Sequence, residues 1–243
     1  RQYCLFYVGD YDSAAWLYQR VTDLWDHPAR GRAPLCWAVS PVLERRAPMA
    51  MAYLRETATR NDYFVSANNG AGYANPGMIQ APRELSGLPD GLDAWAEHCT
   101  PLFRRWDLTI TGFIIDGFAP GPNQAALAAY RRFSPNGIVA QWVPPALLFD
   151  GMPVLRADHD LSQPDVAGCA KHVCDRIRER NFPFHWFRSV LKAPDFYVAL
   201  YAHVSVLDSR VQPLDAPTFF ELLRRYLLEH PGITEEAMKH VPK

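Results

Sequence analysis

The feature that most limits the fold of this chain is an end-to-end alternation of short apolar runs with longer amphipathic stretches. The apolar runs have the length of single strands, and the stretches between them repeat apolar residues at helical spacing. This order is typical of βα units around a mostly parallel sheet. The runs that predict strands are residues 3–8, 35–40, 63–67, 109–115, 138–143, 154–157, 184–190 and 210–214.

Several of the stretches between these runs predict helices with one apolar face. They are residues 13–25, 42–59, 165–179 and 217–228. We expect Pro48 to break the second of these regions close to its start. Seven or eight βα units in 243 residues fit a (β/α) barrel, since a full eight-fold barrel has about 250 residues. A doubly wound open sheet is the alternative. No linker or internal repeat divides the chain, so we expect residues 1–243 to form a single domain.

Composition excludes some classes of function. The chain has 25 basic and 26 acidic residues, so it lacks the basic excess of proteins that bind nucleic-acid phosphates. The longest apolar run, residues 196–207, is shorter than the roughly 18 residues that a membrane span needs. With 7 Trp, 11 Tyr and 13 Phe, the chain is rich in side chains that suit the flat faces of sugar rings.

The five cysteines do not have the spacing of a metal site, and we expect most of them to be small buried apolar residues. The chain starts at Arg1, almost inside an apolar strand and without an initiator methionine. We therefore expect it to be cut from a longer protein.

Acidic residues follow the first predicted strand, where both candidate architectures place function. Asp10 and Asp12 are two residues apart, so in extended backbone they point to the same side. Such a pair binds a hard cation such as Ca²⁺ or Mg²⁺, or divides into a proton donor and a charged partner. The alternative is a cap on the next helix; for Asp12 the two interpretations are balanced, and for Asp10 we favour the functional one.

Asp116 is the strongest single catalytic candidate. It ends the apolar run of the fourth strand and precedes Gly117, where barrel enzymes place catalytic carboxylates. A capping role is disfavoured because residues 117–122 delay the next helix.

Later strands add further candidates. Asp158 follows the sixth strand and either pairs with Arg156 or lines the site, whereas Asp160 is expected to cap the following helix. Gln141, at the fifth strand, is a candidate for binding a sugar hydroxyl, and Arg188 is a candidate on the seventh.

The third strand runs into a glycine-rich segment, Gly70-Ala71-Gly72-Tyr73-Ala74-Asn75-Pro76. Its two glycines allow the backbone to approach a ligand, and Tyr73 offers a flat face and a hydroxyl. The segment resembles the motif that names the GxGYxYP putative glycoside hydrolases, specifically their C-terminal domain. The resemblance extends to residues 9–12, to the segment around Trp37 and to residues 215–220. One position departs from the motif, because its second aromatic is Asn75 here.

This resemblance implies carbohydrate hydrolysis, a preceding N-terminal domain in the parent chain, and a secreted or periplasmic location. Asn69, Tyr73 and Trp37 are proposed ligand contacts. The sequence has no HExxH motif and no HxxxH metal pair, which disfavours a zinc-dependent deacetylase. It also has no GxSxG or GxxxxGK[ST] motif, which disfavours serine hydrolase and nucleotide chemistry more strongly.

We therefore predict a glycoside hydrolase that uses paired aspartates, Asp116 and Asp10 first, then Asp12 and Asp158. The distance between the two carboxyl groups would decide between retention and inversion. Glycan binding without cleavage, supported by the Asn75 departure, and a metal-dependent carbohydrate hydrolase with Ca²⁺ or Mg²⁺ at Asp10 and Asp12 remain the alternatives. No other cofactor is predicted.

Overall fold

The structure is a computed structural model that describes residues 1–11, 14–114, 119–141, 147–157, 159–190 and 192–233. The strands in this part of the chain are β1 (Gln2–Tyr11), β2 (Leu35–Val39), β3 (Asp62–Ser66), β4 (Ile110–Ile114), β5 (Gly137–Ala140), β6 (Leu148–Phe149), β7 (Met152–Arg156), β8 (His159–Asp160), β9 (Phe184–Val190) and β10 (Val211–Pro213). The α-helices are α1 (Ala14–Trp25), α2 (Pro48–Glu56), α3 (Leu92–Arg105), α4 (Gln124–Arg131), α5 (Val166–Glu179), α6 (Pro194–Leu207) and α7 (Ala216–Glu229).

The predicted βα alternation is confirmed. Each predicted strand overlaps an observed one, and β6 and β8, of two residues each, are additional. The predicted break at Pro48 in the helical region 42–59 is confirmed, because Pro41–Arg45 forms a 3₁₀ turn and Pro48 starts α2 as a separate helix. Proline at the first turn is favourable since it has no N–H to donate. Helices α3, α4 and α6 were not among the predicted helices.

The sheet is mostly parallel. Its hydrogen-bonded order is β6-β7-β5-β4-β3-β2-β1-β9-β8, with β10 paired to β1, and among the strand pairs of the described ranges only β6–β7 is antiparallel. The path of described pairs has two ends, so it confirms a parallel α/β sheet and leaves the predicted closed barrel unconfirmed. Strands β7 and β8, near or at these ends, are separated in sequence by Ala157 and Asp158 alone.

Side chains on distant strands meet across one face of the sheet, which shows that the sheet is strongly curved. The ring of Phe113 on β4 stacks on Trp186 of β9, with centroids 5.7 Å apart, although β3, β2 and β1 lie between these strands in the sheet. Tyr7 of β1 lies 6.2 Å from Phe113 and 4.9 Å from Trp186. These rings make the concave face an aromatic core.

Helix α7 closes the amino-terminal end of this concave face. Phe219 packs edge-on to Phe184, the first residue of β9, with centroids 5.5 Å apart. Phe220 packs against Gly137, the first residue of β5. The convex face packs against α1, α2, α5 and α6 in a second apolar cluster. The open end of the concave face is therefore the carboxyl end of the strands.

Two further expectations have outcomes in the fold. All five cysteines are free and buried, which confirms the expectation of burial made for most of them. None of the helices in the described ranges is long and apolar enough to cross a membrane.

Candidate functional site

The carboxyl ends of the parallel strands meet at one edge, which we call the mouth. The register fixes this, since Tyr7 of β1 is opposite Arg188 of β9 and Ile114 of β4 is opposite Ala140 of β5. The floor of the mouth is the ring of Tyr7, which spans the concave face from β1 to β4. A Cβ added at Gly112 of β4 would lie 2.7 Å from Tyr7 Cε2. The Tyr7 ring therefore fits against β4 only because residue 112 has no side chain.

Arg188 and Asp160 form one side of the mouth. Arg188 Nε donates to Asp160 Oδ1 at 2.7 Å and Nη2 donates to Asp160 Oδ2 at 2.6 Å, a bidentate pair that fixes the guanidinium plane. The Arg188 Cζ atom also lies 4.7 Å from the centre of the Phe113 ring. Asp160 therefore does not cap the next helix as expected; Asp165 caps α5 by accepting from the Gly168 N–H at 2.7 Å.

The motif loop that follows β3 forms another side. Gly70 and Gly72 have φ of +82° and +65°, a backbone region that favours glycine, which explains why both positions are glycine. Asn69 is 5% exposed; its amide donates to the Ala74 carbonyl and its Oδ1 accepts from the Ala71 N–H at 3.0 Å. The side chain of Asn69 thus holds the loop, whereas Tyr73 is 50% exposed and able to meet a ligand.

Asn75 has a dual position in this loop. Its Oδ1 accepts from the Gly77 N–H at 2.8 Å and so caps the 3₁₀ turn Pro76–Met78. Its Nδ2 is buried and has no hydrogen-bond partner among the described residues. A cavity of about 10 Å³ lies between the loop and β4, lined by Asn68, Asn69, Gly72, Tyr73, Ala74, Asn75, Phe113, Ile114 and Tyr130.

Trp37 lies away from the mouth, which corrects its proposal as a ligand contact. It is 2% exposed and packs in the apolar cluster on the convex face of the sheet. Its indole N–H donates to Asp62 Oδ1 at 2.8 Å. The alternation of side chains along β2 sends Trp37 to the helices, while Cys36 and Ala38 belong to the aromatic cluster on the concave side.

The four carboxylate candidates fall largely outside the described part of the chain. Asp12, Asp116 and Asp158 lie outside the described residues, and of Asp10 only the backbone, within β1, is described. In the sequence, however, they lie at or just after strands that end at the mouth. Asp116 follows the last residue of β4 by two positions, and Asp158 lies between β7 and β8. Gln141 directly follows β5 and is partly exposed.

Metal binding is not decided by this geometry. The described residues contain no group of three or more His, Cys, Asp or Glu side chains placed to hold a metal ion. The side chain of Asp10 and the whole of Asp12 are not among them, so the Ca²⁺ or Mg²⁺ site stays a prediction.

Sequence reasoning missed three contributors to the mouth: the ring of Phe113, the carboxylate of Asp160 and the buried amide of Asn75. Phe113 has the same apolar signature as any strand residue, and the partner of Asp160 is 28 positions away in sequence. For Asn75 a signal existed, because it is the one position that departs from the motif.

Comparison with known proteins agrees with this architecture. A crystal structure described as a putative hydrolase from Bacteroides thetaiotaomicron VPI-5482 superposes with a TM-score of 0.72 at 19% sequence identity. The match covers 93% of this chain and 45% of that one, so this chain spans less than half the length of its structural neighbour. No curated protein matches the chain. The sequence profile of the GxGYxYP putative glycoside hydrolase C-terminal domain matches residues 1–212, and the chain therefore belongs to that family.

Proposed function

We propose that this chain hydrolyses glycosidic bonds at the mouth, with Asp116 and Asp10 as the paired carboxyl groups. The observation that carries the proposal is the contact between strands that are distant in the sheet. Tyr7 and Phe113 lie 6.2 Å apart across the concave face, and each precedes one of the two aspartates by three residues. Both strands run towards the mouth, so we infer that the carboxyl groups of Asp10 and Asp116 share one opening, as glycoside hydrolysis requires.

We also infer that β7 and β8 are one strand that closes the sheet into a barrel of seven parallel strands. The Ala157 N–H donates to Ala140 at the end of β5 at 2.9 Å. Four residues later, the Leu161 N–H donates to Arg188 of β9 at 2.7 Å. In a closed barrel both amides exchange with solvent as slowly as the core strands do, which hydrogen exchange measures; rapid exchange at either one would leave the sheet open.

The described residues support supplementary roles around the two aspartates. The ring of Tyr73 offers an exposed apolar face to a sugar, and Gln141 offers amide groups to its hydroxyls. The pair of Arg188 and Asp160 holds a cationic plane beside the Phe113 ring at the same opening. Asp12 and Asp158 are further acidic candidates at the ends of β1 and β7.

The test is release of reducing ends from a broad glycan panel by the wild type and by Asp116→Asn. Loss of the general acid or of the nucleophile costs several orders of magnitude in turnover, so we expect release by the wild type and at least about a thousandfold less by the variant. Full turnover by Asp116→Asn on a substrate that the wild type cleaves would remove Asp116 from the mechanism.

A matched control is Asp165→Asn. Asp165 caps α5 on the surface, and asparagine caps a helix as well as aspartate, so this variant makes the same chemical change away from the mouth. It should cleave like the wild type. Equal losses in the two variants would trace the effect to folding and not to the chemistry.

Glycan binding without cleavage is the second candidate. It is favoured by Asn75, which stands where the family motif has its second tyrosine. Equal sugar affinity in the wild type and in an Asp10→Asn/Asp116→Asn double variant, with no turnover in either, would favour binding alone.

A further inference from the structure

We propose that a groove in the helical layer is a second binding site, which holds the carboxylate or sulfate groups of an acidic polysaccharide. The groove lies between the 3₁₀ turn Pro41–Arg45 and helix α3, and we call it the arginine groove. Its charged lining consists of four arginines and two glutamates: Arg45, Arg104, Arg105, Arg132, Glu44 and Glu97. It shares no lining residue with the mouth.

The arginine groove is positively charged although the chain as a whole is nearly neutral. Four arginines against two glutamates leave a formal excess of two positive charges in its lining, whereas the net charge of the chain is -1. Such a local excess raises the concentration of anions near the surface. The planar fork of arginine also offers two parallel N–H groups to a carboxylate, or to two oxygens of a sulfate.

Two of the four arginines are already compensated by acidic side chains. Arg105 Nε lies 3.0 Å from Glu44 Oε2. Arg132 Nη1 donates to Asp93 Oδ1 at 2.9 Å, and Arg132 Nη2 lies 4.0 Å from Glu97 Oε1. Both glutamates of the groove are therefore within ion-pair distance of these two arginines.

Arg45 and Arg104 provide the positive excess. Both are exposed, and neither forms an ion pair or a hydrogen bond through its side chain with another described residue. Arg45 ends the 3₁₀ turn and Arg104 lies in the last turn of α3, so the fold brings them to one groove from distant parts of the sequence. They are the two cations of the groove that are available to a ligand.

Charge, and not size, determines what the groove binds. It has a volume of about 850 Å³ and is open to solvent, so it admits an extended chain. An acidic polysaccharide repeats its anionic groups along such a chain, and separate groups can pair with Arg45 and Arg104. The choice of a glycan over other polyanions rests on the proposed function, because a glycan cleaved at the mouth would gain a second point of attachment.

The first experiment measures the affinity of Asp116→Asn, which does not consume the ligand in the proposed mechanism, for two polyanions and their uncharged forms. The pairs are polygalacturonate with its methyl ester, and dextran sulfate with dextran. We expect each acidic glycan to bind at least about tenfold more tightly than its uncharged form, with an affinity that falls as salt is added. The tighter of the two identifies carboxylate or sulfate as the preferred group. Equal affinity for charged and uncharged forms would overturn the proposal.

The second experiment adds Arg45→Gln/Arg104→Gln to the same protein. Loss of both available guanidinium groups should weaken binding of the preferred acidic glycan about tenfold and reduce its salt dependence. The matched control is Arg32→Gln/Arg60→Gln, which removes the same charge from two exposed arginines outside the groove. It should bind nearly as well as its parent. Equal losses in the two double variants would trace binding to overall charge and overturn the site, as would no loss in Arg45→Gln/Arg104→Gln.

A third comparison tests the class of polyanion. If single-stranded RNA or poly-glutamate binds through Arg45 and Arg104 more tightly than both acidic glycans, the groove serves another partner and the proposal is wrong. Failure of the hydrolase proposal is distinguishable from failure of the groove. Binding that depends on Arg45 and Arg104, without release of reducing ends from any glycan by the wild type, would refute hydrolysis and keep the groove.

Discussion

The polar side chains at the two ends of the sheet differ in their hydrogen bonding and exposure. At the amino end, the buried carboxylate of Asp62 accepts from Arg30 Nη1 at 2.6 Å, Trp37 Nε1 at 2.8 Å, and the N–H and Oγ1 of Thr59, each at 2.8 Å. At the carboxyl end, Asn75 has a buried N–H group for which the described residues offer no partner, and Tyr73 is half exposed. The carboxylate of Asp62 at the amino end is therefore fully used within the fold, whereas the exposed ring of Tyr73 at the mouth is available to a ligand.

The largest expected effect on stability is at Asp62. In Asp62→Ala, the Arg30 guanidinium, 15% exposed, loses its carboxylate partner, and the Trp37 N–H loses its bond to Asp62 Oδ1. Removing one partner of a buried ion pair costs about 3 to 5 kcal/mol, which corresponds to a fall in Tm of roughly 10 °C for a chain of this size. Urea denaturation and calorimetry measure both. A loss no larger than the roughly 1 kcal/mol expected of the surface cap variant Asp165→Ala would contradict the distinction between the two ends.

Gly137 at the start of β5 comes next. It has a φ of +149°, and an added Cβ would lie 2.2 Å from Cδ1 of the buried Phe220 ring on α7. Gly137→Ala therefore displaces the helix that closes the concave face, at a cost of about 2 to 3 kcal/mol. Denaturation midpoints check the loss, and Gly151→Ala is a control with positive φ and open space around its Cα. Equal losses would show that backbone strain acts and not the contact with Phe220.

The same contrast explains how far the sequence could be interpreted. Strands β1 to β4 and β9 were predictable because burial selects runs of apolar residues, and such a run can be recognised within a single segment of sequence. The two-residue strands β6 and β8 are too short to leave a pattern. The burial of Trp37 depends on Asp62, 25 positions later, and the pairing of Asp160 with Arg188 depends on sheet register. Position at a strand end indicated where the site lies, but the partners of its side chains follow from tertiary contacts.

Asp208, at the carboxyl end of α6 and near the amino end of the sheet, predicts a dependence on pH. The hydrogen bonds from the Arg210 side chain at 3.0 and 2.8 Å lower the pKa of this carboxyl to about 2. Because the folded pKa is below the unfolded value of about 3.9, the stabilisation is present above pH 4 and disappears as the pH falls towards 2. Asp208→Asn should lose about 1 to 2 kcal/mol at pH 6 and nothing near pH 2. A difference that is constant with pH would exclude the ionised carboxylate as its cause.

Tyr73 completes the comparison, because at the mouth a large change in binding should accompany almost none in stability. Its ring is half exposed, so Tyr73→Ala should alter the free energy of unfolding by less than about 0.5 kcal/mol. If sugars stack on this ring, the affinity of Tyr73→Ala for cellobiose, chitobiose and mannobiose falls at least about fivefold. Tyr53→Ala, which removes a 45% exposed tyrosine from α2, should leave the affinity for sugars unchanged. A Tyr73→Ala variant that loses stability and keeps its sugar affinity would contradict this comparison. The exposed ring of Tyr73 would then stabilise the fold, as Asp62 does at the amino end, and would not bind a ligand.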